Sequence, residues 1–206
     1  MKSLPNKELS DVEIYGADKS YAQKYAANNS LKFIIISEST ELITYTVNGV
    51  EYHIQNGEAI AISFDKSTTA VTIPSTVNGY PVTELRNTFY ECTTLTSVTI
   101  QSGVRTIENA FYGCSSLTNV TIPNSITSIG NYAFYNCSNL TSITIPSGVT
   151  NIGKWAFSSC GLASVTIPRS VTSIGDSAFS NCDSLKSVSI PNGVTSIGSR
   201  AFYSCG

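Results

Sequence analysis

Six cysteines, Cys92, Cys114, Cys137, Cys160, Cys182 and Cys205, recur every 22 or 23 residues, and a phenylalanine stands three positions before each: Phe89, Phe111, Phe134, Phe157, Phe179 and Phe202. A fixed period of this length marks one supersecondary unit stacked on itself. A unit so short cannot bury its own apolar residues, so it must rest on copies above and below. The repeat therefore predicts a solenoid.

One full unit, Ala133 to Trp155, reads AFYNCSNLTSITIPSGVTNIGKW, and its neighbours share the frame A-F-x-x-C, L-x-x-V/I-x-I-P, V/I-x-x-I-G. Ser142–Ile145 alternates polar and apolar, the period of a half-buried strand. Its equivalents would point Val98, Ile100, Val120, Ile122, Ile143, Ile145, Val165, Ile167, Val188 and Ile190 inward. The proline that follows suits a strand end, since it lacks an N–H. The next apolar pair, such as Val149 and Ile152 followed by Gly153, predicts a second short strand and a corner where glycine supplies conformational freedom. A-F-x-x-C is long enough for about one helical turn, so a short α or 3₁₀ turn is expected there. Between Cys160 and Leu162 one residue is missing relative to the other units.

The repetition changes what the cysteines mean. Six could be a disulfide framework, but each occupies one and the same environment beside Phe and Leu, so they read as a structural ladder of buried, reduced thiols acting as small apolar residues. Disulfides between stacked copies remain the alternative on geometry, and Cys205 is expected to be the exposed thiol. No metal site is expected, because His53 is the one histidine and no C-x-x-C pair occurs. The repeats carry no histidine and only scattered carboxylates, so no catalytic set can be nominated. Phosphate-binding glycine motifs are missing from the sequence, and no cofactor is expected.

Charge is sparse and uneven. Of the 26 charged residues only eight lie from Cys92 onward, and the net charge is −2, which gives no reason to expect nucleic acid as a partner. No stretch approaches the ~18 consecutive apolar residues of a membrane span, and MKSLPNKELSD lacks the apolar region of an intact secretory signal. The outward strand positions form two uncharged columns: Ser97, Asn119, Ser142, Ser164 and Ser187, and Thr99, Thr121, Thr144, Thr166 and Ser189. They are the candidate binding face, although threonine's preference for strands would by itself produce such columns.

Residues 1–38 fall outside the frame and read as strand, short helix around Tyr21–Asn28, and strand Leu31–Ile36, a flank similar to the closing unit of a preceding array. Residues 39–70, with turns at Asn48–Gly49 and Asn56–Gly57, read as a β cap over the first coil. Residues 71–206 are the solenoid. Its last unit stops at Cys205–Gly206 before its strand, so the chain is expected to be a piece of a longer protein.

L-x-x-V/I-x-I resembles the first half of the leucine-rich repeat, and the whole frame resembles the BspA-type leucine-rich repeats of bacterial and protist surface proteins, over about Val71–Gly206. The expected fold is thus a β-rich α/β solenoid of leucine-rich-repeat type with 22–23-residue coils. The family's Cys lies before the Leu, so no internal asparagine ladder is expected. The resemblance implies a non-enzymatic, adhesion-like interaction module of a secreted or cell-surface protein, with a protein or glycan partner, host extracellular matrix included. An architectural spacer in a large exported protein is the alternative.

Overall fold

The structure, a computed structural model, describes residues 43–206 and, by backbone alone, strands β1 (Glu13–Gly16) and β2 (Lys32–Ile35). Residues 1–42 and 43–206 form separate compact units. In the first, β1 and β2 pair in parallel, with Glu13 opposite Lys32 and Gly16 opposite Ile35. The helix expected around Tyr21–Asn28 lies outside the described residues.

The second unit begins with an antiparallel meander, β3 (Thr44–Val47), β4 (Val50–Gln55) and β5 (Glu58–Phe64). Its two turns place Asn48 and Asn56 at φ of 52° and 53°, and Gly49 and Gly57 at 76° and 78°. Two successive positive φ values are what a tight type I′ turn demands, which is why Asn-Gly occurs in both. Next come β6 (Ala70–Ile73), β7 (Thr76–Val77) and β8 (Tyr80–Arg86). The meander joins the coils where β5 pairs in parallel with β8.

From there each coil contributes to two walls. One wall holds the expected main strands: β9 (Ser97–Ile100), β11 (Asn119–Thr121), β14 (Ser164–Thr166) and β16 (Ser187–Ser189). The other holds the short segments around the second isoleucine: β10 (Thr106–Glu108), β12 (Ser128–Ile129), β13 (Asn151–Ile152), β15 (Ser173–Ile174) and β17 (Ser196–Ile197). The second wall is continuous, a ten-stranded sheet ordered β17-β15-β13-β12-β10-β8-β5-β4-β3, with β7 paired to β8. The first wall is not: it splits into β11-β9-β6 and β14-β16, and Ser142–Ile145 between them forms no ladder.

Within a coil the expected main strand is the longer, three or four residues against two or three, yet the shorter segments build the continuous wall, and a correction to the expected role of the glycines explains why. Gly130, Gly153, Gly175 and Gly198 do not adopt positive φ. They are small because the coils touch there: a Cβ on Gly153 would lie 2.5 Å from the carbonyl carbon of Gly130, and one on Gly175 2.6 Å from the amide nitrogen of Lys154. The amides of Gly130, Gly153, Gly175 and Gly198 each donate to the isoleucine carbonyl of the preceding coil at 2.8 Å. Close backbone approach, rather than corner flexibility, is what these glycines provide.

Among the described residues no helix forms; of the expected helical turn there are isolated hydrogen bonds three residues back, such as Cys114 to Phe111 (3.2 Å). Each A-F-x-x-C segment is a run of turns bounded by left-handed residues, for example Asn109 (φ 56°) with Gly113 (φ 70°), and Trp155 (φ 59°) with Ser159 (φ 58°). Two left-handed residues so close together prevent a helix from propagating. The amides of this arc alternate: Tyr112 and Cys114 donate within it to Asn109 (3.4 Å) and Phe111 (3.2 Å), while Phe111 and Gly113 donate to Ala133 (2.9 Å) and Tyr135 (2.8 Å) of the next coil.

The core is a set of columns running from coil to coil. Phe89, Phe111, Phe134, Phe157, Phe179 and Phe202 stack with centroids 4.9 to 5.4 Å apart and planes within 11°. Phe64 of β5 meets Phe89 edge-on at 5.0 Å. Leu95, Leu117, Leu140, Leu162 and Leu185 are buried in register beside them. Burial of side chains of this size stabilises by roughly 1.5–3 kcal/mol each, so the columns outweigh the marginal stability of any one coil. Of the expected inward set, Val98, Ile100, Val120, Ile145, Val165 and Ile167 are buried, Ile122, Ile143 and Val188 are half-buried, and Ile190 on the last rung is 41% exposed.

Candidate functional site

The cysteine column lies inside. Cys92, Cys114, Cys137, Cys160 and Cys182 are buried free thiols, and Cys205 is half-buried rather than exposed. Each Sγ from Cys114 onward donates to the phenylalanine carbonyl of the preceding coil: Cys114 to Phe89 (3.0 Å), Cys137 to Phe111 (3.1 Å), Cys160 to Phe134 (3.0 Å), Cys182 to Phe157 (3.1 Å) and Cys205 to Phe179 (3.2 Å). The carbonyls of Phe89, Phe111, Phe134 and Phe157 already accept the amide of their own coil's cysteine, so the thiol uses the second lone pair. Cysteine suits the position because it is small, apolar and still a weak donor. Burial pushes the Cys114 and Cys182 thiols up to about 12 and raises Cys137 and Cys205 in the same direction. A thiol held protonated in this way is a poor nucleophile.

His53 sits on β4 with Nε2 3.7 Å from a Glu51 carboxylate oxygen, and among the described residues no three His, Cys, Asp or Glu converge on a common point.

The residues nominated for the outer face are all solvent-facing, Ser97 partly and the others fully. The register places Ser97 beside Asn119 and Thr99 beside Thr121 in one sheet, and Ser164 beside Ser187 and Thr166 beside Ser189 in the other. Ser142 and Thr144 are not drawn into either ladder. The amides of Ser142, Ile143, Thr144 and Ile145 donate to no backbone carbonyl. This break adjoins the coil that is one residue short. Gly161, alone between Cys160 and Leu162, lies so near Ser138 that a Cβ would be 2.3 Å from its carbonyl oxygen.

Two clefts open on this face. One, about 320 Å³, follows the break and is lined by Ser142, Ile143, Thr144, Ser164, Thr166 and Pro168 among others. A larger one, about 660 Å³, lies between Thr166, Pro168, Arg169, Ser189, Pro191 and Asn192. Four of the nominated positions, Ser142, Thr144, Ser164 and Thr166, thus share one concavity, and Thr166 and Ser189 share the other. Concave, mixed apolar and polar surface of this size can seat a side chain or a small ligand.

One feature escaped the sequence reading. Tyrosine follows the phenylalanine in four coils (Tyr90, Tyr112, Tyr135, Tyr203), and Tyr132 and Trp155 occupy one equivalent position in two successive coils. Tyr90, Tyr112 and Tyr135 stack at 4.7 and 4.8 Å. The signal, A-F-Y, was present in the repeat, but alignment on Phe and Cys hides which neighbouring columns reach solvent.

Coil length, twin walls and buried ladder define the class: a leucine-rich-repeat β-solenoid. A family model described as BspA type leucine rich repeat region matches residues 61–160 and 108–206, with six copies. The chain belongs to the BspA-type leucine-rich repeat family. A leucine-rich repeat protein of Treponema pallidum is similar at 31% identity and TM-score 0.68, over 76% of this chain and 82% of that one. One from Bacteroides ovatus is similar at 33% and 0.73, over 79% of this chain and 45% of that one. A leucine rich cell surface protein of Faecalibacterium prausnitzii is similar at 32% and 0.63, over 81% and 53%. The chain therefore spans about half the length of the latter two. No curated protein matches this sequence.

Proposed function

We propose that this chain is a non-enzymatic interaction module of a secreted or cell-surface protein, adhesion-like, which engages a protein or glycan partner through its strand face. The observation that carries the reading is the break in that face. Ser142–Ile145 leaves its backbone groups unpaired beside a cleft of about 320 Å³, so the face offers both hydrogen-bonding groups and a recess. Unpaired strand backbone is a ready contact for an extended segment of another chain. Surface location draws support from the similarity to the F. prausnitzii cell surface protein.

The test is binding of the purified chain to a panel of extracellular-matrix proteins and glycans, compared with Thr144→Lys and Thr166→Lys. These positions are exposed, so the variants fold. Each is expected to weaken binding by about tenfold, the equivalent of ~1.4 kcal/mol. Binding that neither substitution alters, or no binding at all, overturns the strand face as the contact surface and favours a spacer.

A further inference from the structure

The turn arc carries a second surface, apart from the strand face. Tyr132 and Trp155 lie with planes within 3° and centroids 6.4 Å apart, and both stand nearly perpendicular to Tyr135, at 72° and 71°. Tyr112 completes the cluster against Tyr135 (4.8 Å) and Tyr132 (6.2 Å). All four are half-buried, so the rings are packed yet reach solvent.

Two of them occupy a costly position. Tyr132 and Trp155 adopt φ of 51° and 59°, where equivalent coils place Asn87, Asn109, Ser177 and Arg200. Among the described residues, half of the non-glycine positions at positive φ are asparagines, as expected of the residue that tolerates the left-handed region best. A bulky ring there is strained, and the neighbouring coils show that the fold does not require one. Strain kept without a structural need points to the surface it creates.

The surroundings specify a partner. One residue past Tyr135 begins a cleft of about 350 Å³, lined by Asn136, Ser138, Ser159, Asn181, Asp183 and Ser184 together with Cys160 and Gly161. Its side-chain groups are amides, hydroxyls and one carboxylate, with no cation and no aliphatic side chain. We propose that the Tyr132–Tyr135–Trp155 cluster and this cleft bind a neutral glycan. A sugar ring presents an apolar C–H face, which an aromatic ring covers, and a rim of hydroxyls, which amides and a carboxylate hydrogen-bond in pairs. Asp183 without a lining cation disfavours an anionic polysaccharide. A protein partner would call for a drier apolar centre than this cleft offers.

The proposal shares with the preceding reading only that the chain is a binding module, and it stands on different residues. Trp155 is the one tryptophan in the chain, so its fluorescence reports on this patch directly. Titration with short neutral β-glucan, mannan, galactan and N-acetylglucosamine oligomers is expected to shift its emission saturably for at least one series, while heparin does not. Tyr132→Asn is expected to raise Tm, by relieving strain, and to weaken that sugar about tenfold or more. Asn136→Ala, outside the aromatic stack, is expected to weaken it as well, and Thr144→Lys to leave it unchanged. Saturable response to no neutral sugar, or binding that survives both Tyr132→Asn and Asn136→Ala, overturns the proposal. A response lost only in Thr144→Lys assigns the sugar to the strand face, and one elicited by a protein but no sugar assigns the patch to protein; either sinks the glycan assignment while leaving the module reading intact.

Discussion

The two walls of the solenoid are made by the same repeat, yet one is an unbroken ten-stranded sheet and the other falls into two pieces. Intrinsic strand preference would favour the opposite result. The S-V-T-I segments alternate cleanly and are rich in β-branched residues, whereas the S/N-I-G segments supply two-residue strands. What separates the walls is how closely the backbones can come. Glycine follows the isoleucine on the continuous side, and a Cβ on it would collide with the coil before. On the other side proline follows the strand in five coils, at Pro74, Pro123, Pro146, Pro168 and Pro191, and donates nothing. Ladder continuity in this fold tracks contact distance between coils more than propensity within them.

The comparison can be broken at its tightest point. Gly153→Ala should cost about 3 kcal/mol, because its Cβ meets backbone atoms of Gly130 and Asn131 at 2.5 to 2.7 Å and a stacked coil cannot step aside. Gly57→Ala supplies the control: its φ is 78° but nothing lies within 4 Å, so strain alone should cost about 1 kcal/mol. Equal losses in urea denaturation would show that close approach is not what the stacked glycines provide.

Hydrogen exchange sharpens the contrast between walls. Amides of Gly130, Gly153 and Gly175, bonded at 2.8 Å to the preceding coil, should exchange about a hundredfold more slowly than those of Ile143 and Thr144. Comparable protection on both sides would restore the continuous main sheet that the sequence predicts.

The smallest effect at neutral pH concerns the column between the walls. Burial raises the Cys114 and Cys182 thiols from 9.0 to about 12. The unfolded chain therefore releases these protons first, and their contribution is complete below about pH 9 and is lost as pH climbs toward 12. A urea midpoint that does not fall between pH 8 and pH 11 would contradict buried, protonated thiols, and Cys182→Ala should flatten part of the fall.

The coil length, the inward set and the ladder of Phe and Leu were legible because each is a periodic constraint repeated several times over. The arc was not: Asn, Tyr, Trp, Ser and Arg alternate at its left-handed position, and no propensity rule distinguishes a run of turns from a single helical turn. The break at Ser142–Ile145 was equally hidden, since its residues match those of the neighbouring coils that do form strands. Of the nominated face, register predicted which side chains point outward. It did not predict the two clefts, one beside the break and one between the paired strands β14 and β16.

Because each phenylalanine meets a like ring above and below at nearly constant spacing, a coil is an interchangeable part. Excising Phe134 through Ala156 would seat Phe157 on Phe111 and Cys160 beneath the carbonyl that now receives Cys137. The length of such an array can then change by whole units through unequal recombination, with no new core to be invented. Novelty is left to the few outward positions, such as those holding Tyr132 and Trp155, where one copy is free to differ from the next.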